Sequence, residues 1–183
     1  GHEVYLTCAG RTDAGVHAEG QVISFDAETF DIEKIERSLN KLCAPFIAVR
    51  DLQKTDDLFS ARFSATCRTY RYRILNDDYP DPFSHRFAWY IQTQLDLDGM
   101  QRAAQAVVGE HDFSSFCRKA SILVDGKEKE VSLIREVISI TVKNEGPFVE
   151  IWVTATSFCH QMVRSIVGTL VAIGKGRLNK SDV

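Results

Sequence analysis

Residues 135–155 read REVISITVKNEGPFVEIWVTA. Apolar and polar residues alternate from Arg135 to Val142 and again from Phe148 to Ala155, with the turn-forming Asn144-Glu145-Gly146-Pro147 between them. This pattern predicts two strands joined by a short turn and therefore running antiparallel. A doubly wound parallel sheet would need a helix between the two strands. Working outward, Gln21 to Asp26, Ile47 to Leu52, Thr69 to Leu75 and Phe87 to Thr93 read as further short strands, and Glu3 to Thr7 is strand-like.

Three segments carry helical spacing instead. Asp31 can cap a helix whose apolar positions Ile32, Ile35, Leu39 and Leu42 recur every three or four residues. Asp96 and Gly109 bracket a second helix with Leu97, Met100, Ala104, Val107 and Val108 on one stripe. The third runs from about Cys159 to Ile173, with Gly174 as its expected stop, and is apolar over most of its circumference. The expected class is α+β, with a mixed, mainly antiparallel sheet. The polar segment Asn76 to Ser84 contains two prolines and marks a boundary or a long surface loop, giving expected halves of 1–75 and 76–183. Ser121 to Ser132, centred on Asp125-Gly126, reads as a solvated hairpin or insert.

The 183 residues are 44% hydrophobic and 26% charged, enough to bury a core, so neither disorder nor a fibre is expected. A net charge of -3 excludes a uniformly basic coat, so an anionic partner must meet a local patch. The longest nearly apolar stretch, Ile166 to Gly174, falls well below the roughly 18 residues of a spanning helix. The five cysteines are scattered and form no C-x-x-C pair, so they read as reduced thiols in a soluble, cytoplasmic protein. A start at Gly1-His2, without an initiator Met, reads as a piece cut from a longer chain.

The chemistry concentrates in three places. In AGRTDAGVH, from Ala9 to His17, two glycines flank Arg11, Thr12 and Asp13. A carboxylate working as nucleophile or base needs a nearby cation to stay ionised, and Arg11 can supply one. The simpler alternative is that, like most aspartates in glycine-rich turns, it only bonds its own backbone. His17 lacks partners at metal-ligand spacing, so no metal site is expected. Along the strand RTYRYRIL, Tyr70, Tyr72 and Ile74 share one face while Thr69, Arg71 and Arg73 share the other. Such a strand can stack a base and bind a phosphate, or can simply pack tyrosines into a core. Third, His160, Arg164, Gly168 and Val171 form one stripe of the last helix. Arg164 needs a ligand or an acidic partner there, and Glu150 is the structural candidate.

AGRTDAGVH followed by GQV, ARFSAT leading into RTYRYRI, GEHDFSSF and FCHQMVRSIVG together resemble the tRNA pseudouridine synthase A family, in the family's order. The resemblance covers roughly Cys8 to Gly174. It implies a pseudouridine synthase-like fold of two similar α/β halves with helices on one face of the sheet. It also implies that the family's first strand and helix and its C-terminal segment lie outside this chain. The implied activity is isomerisation of uridine to pseudouridine in the anticodon stem-loop of tRNA, by a homodimer with no metal or organic cofactor. By motif, Asp13 is the essential aspartate, Arg11 the base-flipping arginine, Tyr70 the tyrosine stacking on the uracil, and Arg164 the aspartate's partner. Arg62, Arg68, Arg71 and Arg73 are the expected basic residues of the RNA cleft. Two other readings stay open on the residues alone: a non-catalytic RNA-binding module with a tyrosine platform, and an aspartate-nucleophile hydrolase.

Overall fold

The expected hairpin is present. In a computed structural model describing residues 3–28, 31–118 and 131–179, with the backbone alone of 121–124 and 127–130, Ile134–Glu145 pairs antiparallel with Phe148–Ala155. In chain order the elements are β1 (Thr7–Cys8), β2 (Ile23–Ser24), α1 (Ile32–Cys43), β3 (Arg68–Asn76), β4 (Trp89–Ile91), α2 (Leu97–Gln105), β5 (Gly109–Asp112), β6 (Ser121–Val124), β7 (Lys127–Glu130), β8 (Ile134–Glu145), β9 (Phe148–Ala155) and α3 (Met162–Gly174). The chain separates into two compact units, Gly1–Thr66 and Cys67–Val183. The class is α+β, as expected.

The second unit is built on a five-stranded sheet of order β4-β3-β9-β8-β5. All its pairings are antiparallel except β3 with β4, where Ile74 lies opposite Trp89. The loop carrying the two prolines makes that parallel connection without a helix, and Asn76 anchors its far end by donating from Nδ2 to the carbonyls of Ile91 and Thr93 at 2.8 and 2.9 Å. One face of the sheet presents Tyr72, Ile74, Ile140, Val149, Ile151 and Val153 to Met100, Ala103 and Ala104 of α2 and to Ile166, Val167 and Leu170 of α3. Each large side chain fully buried there contributes roughly 1.5–3 kcal/mol. Beyond β5 the outer edge of β8 is met by a side chain of α2, since Gln101 Oε1 accepts from the Val142 amide at 2.7 Å. That contact blunts an otherwise open edge.

The first unit has little core: Ala61 is its one buried hydrophobic residue among those described, and α1 buries none. Polar clamps order it instead. Asn40 exchanges two hydrogen bonds with the backbone of Val49, at 2.8 and 2.7 Å, and Glu36 accepts from the Leu52 amide at 2.9 Å. The stretch from Ile47 to Leu52 is therefore not a strand as its alternation predicts, because side chains of α1 occupy backbone groups that a ladder would use.

Other differences have similarly local causes. β5 has no apolar alternation and forms because β8 offers a ladder to GEHD, with Gly109 at φ 111° leading into it. α3 ends at Gly174, one residue beyond the expected Ile173, and is closed two residues later by Gly176, whose φ of 67° permits a Schellman motif. There the Gly176 amide donates to Ile173 at 2.8 Å and the Arg177 amide to Ala172 at 2.9 Å. β6 and β7 form the hairpin expected in the insert, with Ser121 opposite Glu130, while Asp125-Gly126 lies outside the described residues. Cys117 and Cys159 are joined as a disulfide, correcting the reading of all five cysteines as reduced thiols; Cys8, Cys43 and Cys67 are free. No helix among the described residues is long and apolar enough to cross a membrane.

Gly174, the last residue of α3, also has a packing role. A methyl group there would sit 2.6 Å from Met100 Sδ and 3.3 Å from Leu95 Cδ2, whereas one at Gly168 would meet nothing within 4 Å. Gly168→Ala should stabilise the fold by roughly 0.5–1 kcal/mol through helix propensity. Gly174→Ala should destabilise it by about 1–2 kcal/mol, overpacking outweighing propensity. Thermal melts of the two variants should move in opposite directions.

Candidate active site

In the first unit, the aspartate loop hangs from the short β1–β2 pairing of Thr7 with Ser24 and Cys8 with Ile23. The ladder is extended by the Ala9 amide donating to Val22 at 2.9 Å. Asp13 then opens a tight turn closed by the Val16 amide on the Asp13 carbonyl at 3.1 Å. Gly15, the third residue of that turn, has φ 84°, a conformation that would strain any side chain. Asp13 and Arg11 are both exposed on this loop. One positioning residue was not singled out from the sequence: Gln21, whose Oε1 accepts from the Gly10 amide at 3.3 Å while its Nε2 donates to the Gly10 carbonyl at 2.5 Å. This two-point clamp imitates a strand pair and holds the residue next to Arg11. Its only signal in the sequence was membership of the GQV that follows the loop.

In the second unit, Tyr70 lies near the start of β3, opposite Val153 near the end of β9. The chain leaves β9 at that same end of the sheet and passes through Phe158 into α3. The Tyr70 and Phe158 rings meet edge to face, 4.9 Å between centroids and 88° between planes. Arg164 is the third residue of α3 and is exposed.

The start of α3 breaks three local rules together. Gln161, at the N-cap, holds a left-handed φ of 68° and makes no side-chain cap, and the first turn has no acidic residue but carries Arg164. A left-handed non-glycine residue costs of order 1 kcal/mol or more. A missing cap costs about 1 kcal/mol, and a cation at a helix N-terminus opposes the dipole. Departures of this kind cluster where geometry serves chemistry rather than stability.

The remaining arginines divide. Arg68 donates from Nη1 to the Thr156 carbonyl at 2.8 Å, beside the same end of β9. Arg62 belongs to the first unit, its guanidinium 5.2 Å from the centre of the Phe63 ring. Arg71 and Arg73 project from the sheet face opposite Tyr70, over the rings of Trp152 at 5.2 Å and Phe148 at 4.2 Å. Both flank Glu150, with Arg71 Nη1 at 3.7 Å and Arg73 Nε at 3.1 Å from Oε1, while Trp152 Nε1 donates to Oε2 at 3.0 Å. Glu150 is thus the partner of Arg71 and Arg73, correcting its expected pairing with Arg164. Strand alternation puts Glu150 on the sheet face away from α3.

The second unit, a mainly antiparallel sheet with two helices packed on one face, sets the chain in the α+β class. A family model described as tRNA pseudouridine synthase matches residues 103–183. A tRNA pseudouridine synthase A of Brevibacillus brevis is 41% identical over 186 residues, covering all of this chain and 72% of the relative. One of Wolbachia pipientis wMel is 40% identical over all of this chain and 73% of its own length. A tRNA pseudouridine synthase A 2 of Bacillus cereus is 36% identical over all of this chain and 72% of its own. The chain belongs to the tRNA pseudouridine synthase A family, whose members are isomerases.

Removing the Gln21 clamp should loosen the loop without unfolding the unit, since both of its hydrogen bonds are exposed and each is worth about 1 kcal/mol. In Gln21→Ala, amide exchange at Gly10 should accelerate while α1 amides keep their rates.

Proposed function

We propose that this protein isomerises uridine to pseudouridine in the anticodon stem-loop of tRNA, acting as a homodimer in the cytoplasm, with Asp13 as its essential carboxylate. The reaction breaks the bond between ribose C1' and uracil N1, turns the freed base, and joins C5 to C1'. It is redox-neutral and needs no organic cofactor or metal. Asp13 either attacks C1' or removes the C2' proton, and both routes require the carboxylate to be ionised at neutral pH. Arg164 serves as its cation, and Arg11 holds the nucleotide out of its stack.

Extruding the target from the stem-loop costs a few kcal/mol, offset by stacking on Tyr70 and by backbone contacts from Arg62 and Arg68. The observation that carries the reading is the start of α3. A helix that gives up its cap, its preferred first-turn charge and a relaxed N-cap conformation, all at the sheet end occupied by Tyr70, fits a device for aiming an arginine at an anion. The names and full-chain match of the relatives point the same way.

The test is Asp13→Asn, which keeps the side chain's shape and removes its charge. Pseudouridine formed in unmodified tRNA, counted by nucleoside chromatography, should fall by at least about 10³-fold while tRNA binding persists. Turnover within a few-fold of the parent would reject Asp13 as the reacting group. An isolated anticodon stem-loop should be a substrate, whereas modification confined to another arm of the tRNA would reject the proposed target.

A further inference from the structure

Cys117 and Cys159 lie 42 residues apart in the chain and 5.8 Å apart between Cα atoms. Cys117 follows β5 and Cys159 follows β9. Because β5 pairs with the start of β8, and the start of β8 pairs with the end of β9, the topology delivers both residues to one end of the sheet. Their segments are also joined through backbone, the Arg118 amide donating to the His160 carbonyl at 3.1 Å. The two sulfurs therefore stay neighbours whether or not they are bonded, so opening or closing the link requires no refolding. Both residues are only partly buried and within reach of a small thiol reagent, and they pack against the rim of the core beside Phe116 and Phe158.

The link is also placed to matter. Cys159 sits between Phe158, whose ring meets Tyr70, and the left-handed Gln161 that launches α3, and its carbonyl accepts from the Met162 amide at 3.2 Å. A bond from Cys159 to Cys117 clamps this four-residue turn to the body of the sheet, and with it Phe158 on one side and the helix bearing Arg164 on the other. The Phe158 ring borders the Tyr70 ring on which a uracil would stack, so the mobility of this turn bears on how freely that space opens.

We infer that Cys117 and Cys159 are a reversible dithiol–disulfide pair that sets the rigidity of the turn from Phe158 to Gln161, and that oxidation slows turnover. The consequence for turnover rests on the function proposed above; the thiol chemistry does not. The oxidant is a small-molecule disulfide such as oxidised glutathione. One cysteine thiolate attacks it, its S–S bond breaks, and one glutathione thiolate leaves. The second cysteine thiolate then displaces the other glutathione from the mixed disulfide. In sum, two protein thiols lose two protons and two electrons, and one oxidised glutathione becomes two reduced ones.

The native protein is to be equilibrated across ratios of reduced to oxidised glutathione, acid-quenched, alkylated and read by peptide mass. The expected result is one two-electron transition from alkylated Cys117 and Cys159 to a crosslinked peptide pair, with Cys8, Cys43 and Cys67 alkylated throughout. In the reduced state, amide exchange from residue 159 to 163 should quicken by about tenfold. Pseudouridine formation should be several-fold faster in the reduced state and return to its lower value on reoxidation. Cys159→Ser and Cys117→Ser should each abolish all three responses. Separate glutathione adducts in place of the crosslink, or equal exchange and equal turnover in both states, would overturn the inference. Should Asp13→Asn prove active, the role of Asp13 falls while the crosslink and exchange measurements still decide this one.

Discussion

Strand β9 is the constraint from which the second unit follows. It is paired along both edges, to β3 from Arg68↔Ala155 to Leu75↔Phe148 and to β8 from Val137↔Ala155 to Glu145↔Phe148. Its core-facing residues Val149, Ile151, Val153 and Ala155 are all buried. A strand fixed on both edges and one face has no freedom of register, because a slip of one residue would turn those four side chains out and Glu150 and Trp152 in. Fixing β9 fixes where Tyr70 stands on β3, and fixes the point from which the chain departs toward Phe158 and α3.

The opposite face shows how a sheet keeps charge without exposing an unpaired group. Glu150 is 8% exposed, and such a carboxylate is tolerable only when its oxygens are satisfied. Two guanidiniums and an indole N–H do this, while the flat faces of Trp152 and Phe148 lie under those same guanidiniums. Arg71 and Arg73 are thereby held at fixed positions along the strand. Lys143, opposite Glu150 on β8, brings its ammonium to 5.9 Å from the centre of the Trp152 ring.

Much of this was legible in the sequence. The β8–β9 hairpin, the capping aspartates Asp31 and Asp96, and the division of RTYRYRI into two faces came from period and cap chemistry, which act over a few residues. What escaped was decided by long-range partners. β5 exists because β8 has a free edge, and Ile47 to Leu52 fails to be a strand because Asn40 and Glu36 reach it first. The packing role of Gly174 stayed hidden because its contact with Met100 of α2 cannot be seen along the chain. The two cysteines are remote in sequence and adjacent only through the strand order, so spacing rules for thiols had nothing to read. For the candidate site the motifs supplied residue names, whereas the strain that marks the start of α3 is visible only in the backbone.

That strain bears on how the protein divides stability from function. The body of α3 is among the best-buried parts of the molecule, with Met162, Ile166, Val167, Leu170 and Val171 all in the core. Five such side chains contribute on the order of 10 kcal/mol by area, several times the cost of one left-handed residue, one absent cap and one ill-placed cation. The helix can therefore start badly and still be held. The deviation is confined to the end where Phe158 meets Tyr70, so the sheet and its helices supply the anchoring energy and the first turn is left to be shaped by something other than folding. A relaxed start, with serine or aspartate at the cap and an acidic first turn, would make a more stable helix and would set a negative charge where Arg164 now stands.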